Sequence, residues 1–155
     1  MANNTDITGN LKYEDGFQKV TVNEDFNRVI SWNPNDANFV DRFLAFQSRV
    51  ETDFKPKMQA LKLGKDNDLS DYEVGTISEL GKEMCDAIDE TFLSPVSKAA
   101  FNGVNPLSPM SNGSYLFMNF MNALMPLIQK SIGDFEEARK KYTYAGKKIQ
   151  TSKKS

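Results

Sequence analysis

A small helical bundle with a short N-terminal β-hairpin, mainly α in class, is the fold this sequence predicts, on three observations. Apolar residues recur at three- and four-residue spacing along three long stretches, as they do in helices that bury one face. Only one region, residues 17–32, has a strand-like composition. The chain has 155 residues, 39% hydrophobic and 26% charged, which suits one compact domain with a real core.

Taken in order, residues 1–16 are polar and punctuated by Gly9 and Gly16, and are expected as a flexible leader. Phe17 to Val22 and Val29-Ile30-Ser31-Trp32 are the strand candidates, with Asn23-Glu24-Asp25 as the turn between them. Two strands alone are marginal in water, so this hairpin needs a helix to lie on. Asn33-Pro34-Asn35-Asp36 is a helix-start signal with Asp36 as N-cap. Phe39, Phe43, Phe46, Val50 and Phe54 then mark one helical face, joined by Val40 and Leu44. Lys55-Pro56 is expected to bend or end that helix, because proline disfavours the helical conformation at the residue before it.

Leu63 to Leu69 reads as a polar linker. Ser70-Asp71-Tyr72-Glu73 fits a capping box, and Val74, Ile77, Leu80, Met84, Ile88 and Phe92 mark the face of a second helix, closed by Ser94-Pro95. Phe101 to Asn112 reads as a loop, with turn dipeptides at Asn102-Gly103 and Asn112-Gly113 and with Pro106 and Pro109 between them. A third long helix begins near Ser114 and runs through Phe117, Phe120, Met121, Leu124, Leu127 and Ile128, with a kink expected at Pro126. After Gly133 a shorter segment adds Phe135, Ala138 and Tyr142. One domain is therefore expected over residues 17–145, followed by a basic, disordered tail at 146–155.

The residues that usually carry chemistry are scarce. No histidine occurs, which removes the commonest general base, the commonest metal ligand and every nucleophile–histidine arrangement. Cys85 is the only cysteine, and on the apolar side of a helix it reads as a small buried hydrophobe. No glycine-rich phosphate loop is present. The run from Asp66 starts like a calcium loop, but its sixth position is Asp71 instead of glycine and its twelfth is Ile77 instead of glutamate. No catalytic, cofactor or metal site is expected, and the reading is a protein that binds another protein and not an enzyme.

The first residues carry neither a basic nor an apolar secretory region. The most apolar stretch, Tyr115 to Ile128, falls short of the 18 or so residues a membrane span needs and is broken by Asn119, Asn122 and Pro126. A cytoplasmic chain without membrane contact is expected.

Two features point towards a partner. Tyr115 to Met125 is apolar on more than one helical face, so either this helix is central to the bundle or one face waits for another molecule. Its methionines suit an adaptable surface, which makes Phe117, Met118, Phe120, Met121 and Met125 candidates for binding a partner or a second copy. The other feature is charge. From Arg139 onward there are seven basic residues and no acidic one, leaving the body with 12 basic and 21 acidic residues, a net of −9. Lys147 and Lys148 in that tail are either solubilising or a contact for an acidic partner. The acidic body, and a tail with no aromatics beyond Tyr142 and Tyr144, argue against nucleic acid.

The order of these elements resembles the tail assembly chaperones of long-tailed, siphovirus-type bacteriophages. The likeness is carried by the hairpin leading into Trp32-Asn33-Pro34-Asn35-Asp36 and the helix Phe39 to Phe54. It continues in the acidic helix ending Asp86-Ala87-Ile88-Asp89-Glu90-Thr91-Phe92, with Phe101-Asn102-Gly103 shortly after. The apolar helix Phe117 to Pro126 and the basic end with Lys140-Lys141-Tyr142 complete it, over roughly residues 17–145. Where that family often has a glycine soon after the residue at Phe92, this chain has Leu93-Ser94-Pro95. The resemblance implies a chaperone in the cytoplasm of an infected bacterium, which binds the tape measure protein and helps the major tail protein polymerise around it. The rival readings are a structural or adaptor protein of the virion, at the head–tail junction or neck, and a nucleic-acid-binding regulator.

Overall fold

In the computed structural model, residues 6–61 and 71–134 are described. The order of elements is a hairpin of β1 (Gln18–Val22) and β2 (Asp25–Trp32), then α1 (Ala37–Arg49), α2 (Lys55–Ala60), α3 (Asp71–Phe92) and α4 (Val96–Phe101). A last long helix, α5, covers 116–134. The fold is small and mainly α, with its hairpin at the N-terminal side, as the periodicity predicts. The expected linker at 63–69, the Ser70 cap, the run from Asp66 to Ser70, the segment with Phe135, Ala138 and Tyr142, and the tail with Lys147 and Lys148 lie outside the described residues.

The hairpin turns on Asn23 and Glu24, whose φ angles are 51° and 62°. Two successive positive φ values make the two-residue turn whose twist matches that of the flanking strands. Gln18 to Thr21 pair in register with Trp32 to Val29, and the register shifts between Thr21 and Val22. Alternation then sends Val20, Val22, Ile30 and Trp32 inward, while Lys19, Thr21 and Val29 face out.

Helix α1 starts where expected: the Asp36 carboxylate accepts a hydrogen bond from the Asn38 N–H. Proline 56 neither ends the helical run nor interrupts it. Between α1 and α2 the turn Val50–Phe54 widens into a π-helix, and the Lys55 N–H reaches back to the Val50 carbonyl, five residues away. Proline has no N–H to give and its ring crowds the carbonyl four residues back, so it is tolerated only in the first turn of a helix. The wide turn makes Pro56 part of the first turn of α2. It has a second use. Phe46, Val50, Phe54 and Met58 are four residues apart, a spacing that drifts about 40° per step around an ideal α-helix. With the π turn inserted, all four are buried.

Helix α3 ends in a left-handed residue, Leu93 at φ 52°, and the Ser94 N–H closes back onto the Asp89 carbonyl. This is the position where glycine is usual, and a leucine there carries a steric cost. Helix α4 was not foreseen, because six residues are too few to show a period. Its start is held by Asp89 of α3, whose carboxylate accepts from the Ser97 N–H at 2.8 Å and the Ser97 hydroxyl at 2.9 Å. Its end is held by Arg28 of β2, whose guanidinium donates to the carbonyls of Ala99 and Ala100 at 2.7 and 2.8 Å. Tertiary partners supply what local propensity does not.

The loop to α5 is organised around the turns at Asn102-Gly103 and Asn112-Gly113, with Asn102, Gly103 and Gly113 at positive φ. Loop carbonyls cap α5: Leu116 N–H donates to Ser108 and Phe117 N–H to Pro106. The helical assignment of α5 runs unbroken past Pro126.

The core lies between α1, the π turn, α3 and α5, floored by the hairpin. Phe39, Phe43, Phe46 and Phe54 from the first helical run meet Met84, Ile88 and Phe92 of α3 and Phe117, Leu124 and Ile128 of α5. Phe117 stands edge-on to both Phe46 and Phe54. Trp32 closes the hairpin side, and its indole N–H donates to the Ser131 hydroxyl at 3.0 Å, which in turn donates to the Ile128 carbonyl. Within the described residues, no buried side-chain nitrogen or oxygen is left without a partner.

Candidate partner-binding surface

The structure sorts the five apolar candidates of α5 into two groups. Phe117 is wholly buried and Met121 is 3% exposed, in line with Leu124, Ile128 and Ser131. Residues at steps of three, four and seven share one face of a helix, and this face is the core. Of Phe117, Met118, Met121 and Met125, some of which are expected to be incompletely buried, Phe117 and Met121 are closed off on the core side, where Phe117 meets the rings of Phe46 and Phe54. Met118, Phe120 and Met125 are half-buried on the two shoulders of the buried strip. Phe120 is engaged there with Phe101, ring centroids 5.3 Å apart in an edge-on arrangement. Lys147 and Lys148 lie outside the described residues.

Met118, Met125 and Ile132 follow one another at seven-residue steps, so they form a row along one shoulder of α5. Across from them is α1: the Gln47 amide donates to the Met125 sulfur at 3.6 Å. One turn before Gln47 stands Leu44, 56% exposed. The α1–α5 seam thus offers an open leucine beside half-covered thioethers. Periodicity signalled Leu44 as part of the α1 apolar set, but could not show that it would be left outside.

Two shallow clefts lie on the described surface. One, about 240 Å³, lies between α1 and α3 and is lined by Arg42, Arg49, Glu90 and Thr91. Both arginines are already engaged: Arg42 donates to the Thr91 carbonyl at 2.9 Å, and Arg49 pairs with Asp53 and lies 4.7 Å from the centre of the Phe54 ring. The other, about 410 Å³, lies between α3, α4 and the following loop, with Cys85, Ser97, Lys98 and Val104 in its wall. Burial raises the pKa of the Cys85 thiol, and the nearby Asp89 and Asp86 carboxylates push it the same way against a hydrogen bond with Ser97. A thiol so held is a poor nucleophile at neutral pH.

Among the described residues there is no group of three or more histidine, cysteine, aspartate or glutamate side chains that could hold a metal ion. No described helix is long and apolar enough to cross a membrane. Comparison of the chain with protein-family models, with curated proteins and with solved structures finds no match.

Proposed function

We propose that this chain acts by binding another protein, as a tail assembly chaperone that engages a tape measure protein before a tail tube forms around it. The α1–α5 seam is the observation that favours this reading over catalysis. Exposed Leu44 and the half-buried Met118 and Met125 offer aliphatic and thioether side chains suited to the apolar face of an amphipathic helix. A long helical chain awaiting assembly displays such faces. The order of elements, hairpin, phenylalanine-rich helix, acidic helix, loop and methionine-rich helix, is the further support, by its resemblance to that family.

The test is co-expression of this chain with a tape measure protein of a long-tailed bacteriophage. The tape measure protein should stay in the soluble fraction with the wild-type chain and precipitate with a Leu44→Asp/Met125→Asp variant that retains its helicity. Equal solubility with both chains would count against the seam as the binding surface. Equal precipitation with and without the wild-type chain would count against the chaperone reading itself.

A further inference from the structure

Residues 7–17 combine a pattern and an environment that do not belong together in a finished monomer. Ile7, Leu11, Tyr13 and Phe17 all fall on odd positions, which Gly9 and Asp15 share, whereas the even ones carry Thr8, Asn10, Lys12, Glu14 and Gly16. Alternation of this kind belongs to a strand with one face on a core. Yet no strand or helix forms over 7–17, and the four apolar side chains are exposed by 70%, 83%, 74% and 54%. Among the described residues, the hydrogen bonding of 7–16 to the body comes down to one contact, from the Asn33 amide to the Asp15 carbonyl at 2.8 Å. Gly16, at φ 82°, then turns the chain before β1, and a Cβ there would lie 2.8 Å from the Asn35 amide nitrogen. The segment is therefore steered off the line of β1 and does not extend it.

The same chain has a matching vacancy. Among the described residues its sheet has two strands and no third one pairs with the outer edge of β1, while β2 is tied to α4 through Arg28. Phe26 and Val29 of the hairpin are left 87% and 44% exposed.

We propose that residues 7–15, ahead of the turn at Gly16, form a strand that adds to the β1 edge of a second copy of this chain, burying Ile7, Leu11, Tyr13 and the adjoining Phe17 together with Phe26 and Val29 across the contact. Among the described residues neither the backbone of the segment nor the open edge has a strand partner, and strand addition supplies both. Area supports a copy of the chain as occupant. Taking about 200 Å² for a large side chain, the six residues expose on the order of 800 Å². That equals the roughly 800 Å² per partner of a standard stable interface. Exchange of an identical element between copies is also a low-cost route to assembly, since each copy supplies both halves of the contact. The inference is independent of the chaperone reading.

Sedimentation velocity of the full chain from about 1 to about 100 µM tests it. The wild type should associate within this range. Leu11→Ser/Tyr13→Ser should weaken association at least tenfold, as should Phe26→Ser on the receiving side, with circular dichroism of the dilute chain unchanged for each. A wild type that stays monomeric throughout would overturn the proposal. So would association that persists unaltered in the segment variant, or in Phe26→Ser. Should Phe26→Ser perturb folding through the turn, Val29→Ser, in mid-strand, takes its place with the same two outcomes.

Discussion

Helix α5 and the segment 7–17 are both rich in apolar residues, and they meet opposite fates. In α5 the residues Phe117, Met121, Leu124 and Ile128 vanish into the core, while in the segment Ile7, Leu11 and Tyr13 stay in solvent. The difference is supply. The three-to-four-residue period of α5 meets two other helices of the same chain with complementary faces, including the rings of Phe46 and Phe54. The two-residue period of the segment needs a sheet edge, and the one the chain owns is turned away from it at Gly16. Apolar pattern therefore announces that a surface will be covered, without saying by which molecule.

The contrast inside α5 can be broken by charge. Met121→Asp should cost more than about 4 kcal/mol and leave the chain largely unfolded, since it removes a core side chain and buries an unpaired carboxylate. Met118→Asp, one shoulder away, should cost less than about 1 kcal/mol, the range of changes outside the core. Chemical denaturation of the two variants side by side would erase the distinction if both unfolded alike.

A smaller effect tests how α4 is held. Arg28→Ala should destabilise by about 2 kcal/mol, because two half-buried carbonyls lose a charged donor. The loss should appear with an unchanged hairpin, read from hydrogen exchange of β1 and β2, and a neutral result would mean α4 needs no strand to end it.

The smallest effect has the opposite sign. Leu93→Gly should stabilise by about 0.5–1 kcal/mol, as relief of the left-handed strain outweighs the extra freedom of glycine in the unfolded chain. A lower melting temperature in that variant would show that the exposed Leu93 side chain has contacts worth more than its strain.

How far the fold was legible follows from length and period. The hairpin, the start of α1 at Asp36, the apolar face of α3 and the turns at Gly103 and Gly113 could all be read, because each has a local chemical cause. Pro56 misled, since a π turn is a tertiary compromise: it keeps Val50, Phe54 and Met58 on the core side, and proline rules see only the local clash. Helix α4 was invisible because its ends are fixed by Asp89 and Arg28, distant in sequence. At the candidate site, the sequence showed that α5 had too many apolar residues for one face. It could not divide them, because which face meets Phe46 and Phe54 is decided by packing. Leu44 illustrates the same limit: its spacing fits the α1 stripe, yet it is left 56% exposed.

The central claim is that the shoulder of α5 next to α1 receives another protein while the buried strip only holds the fold. It is tested most directly by titrating amphipathic helical peptides, taken from a tape measure protein as the proposed class of partner, against wild-type chain and Met125→Asp, with unfolding measured on the same samples. The account predicts matching unfolding curves and binding weakened at least tenfold, about 1.4 kcal/mol, in the variant. Binding of equal strength in two equally folded proteins would contradict it.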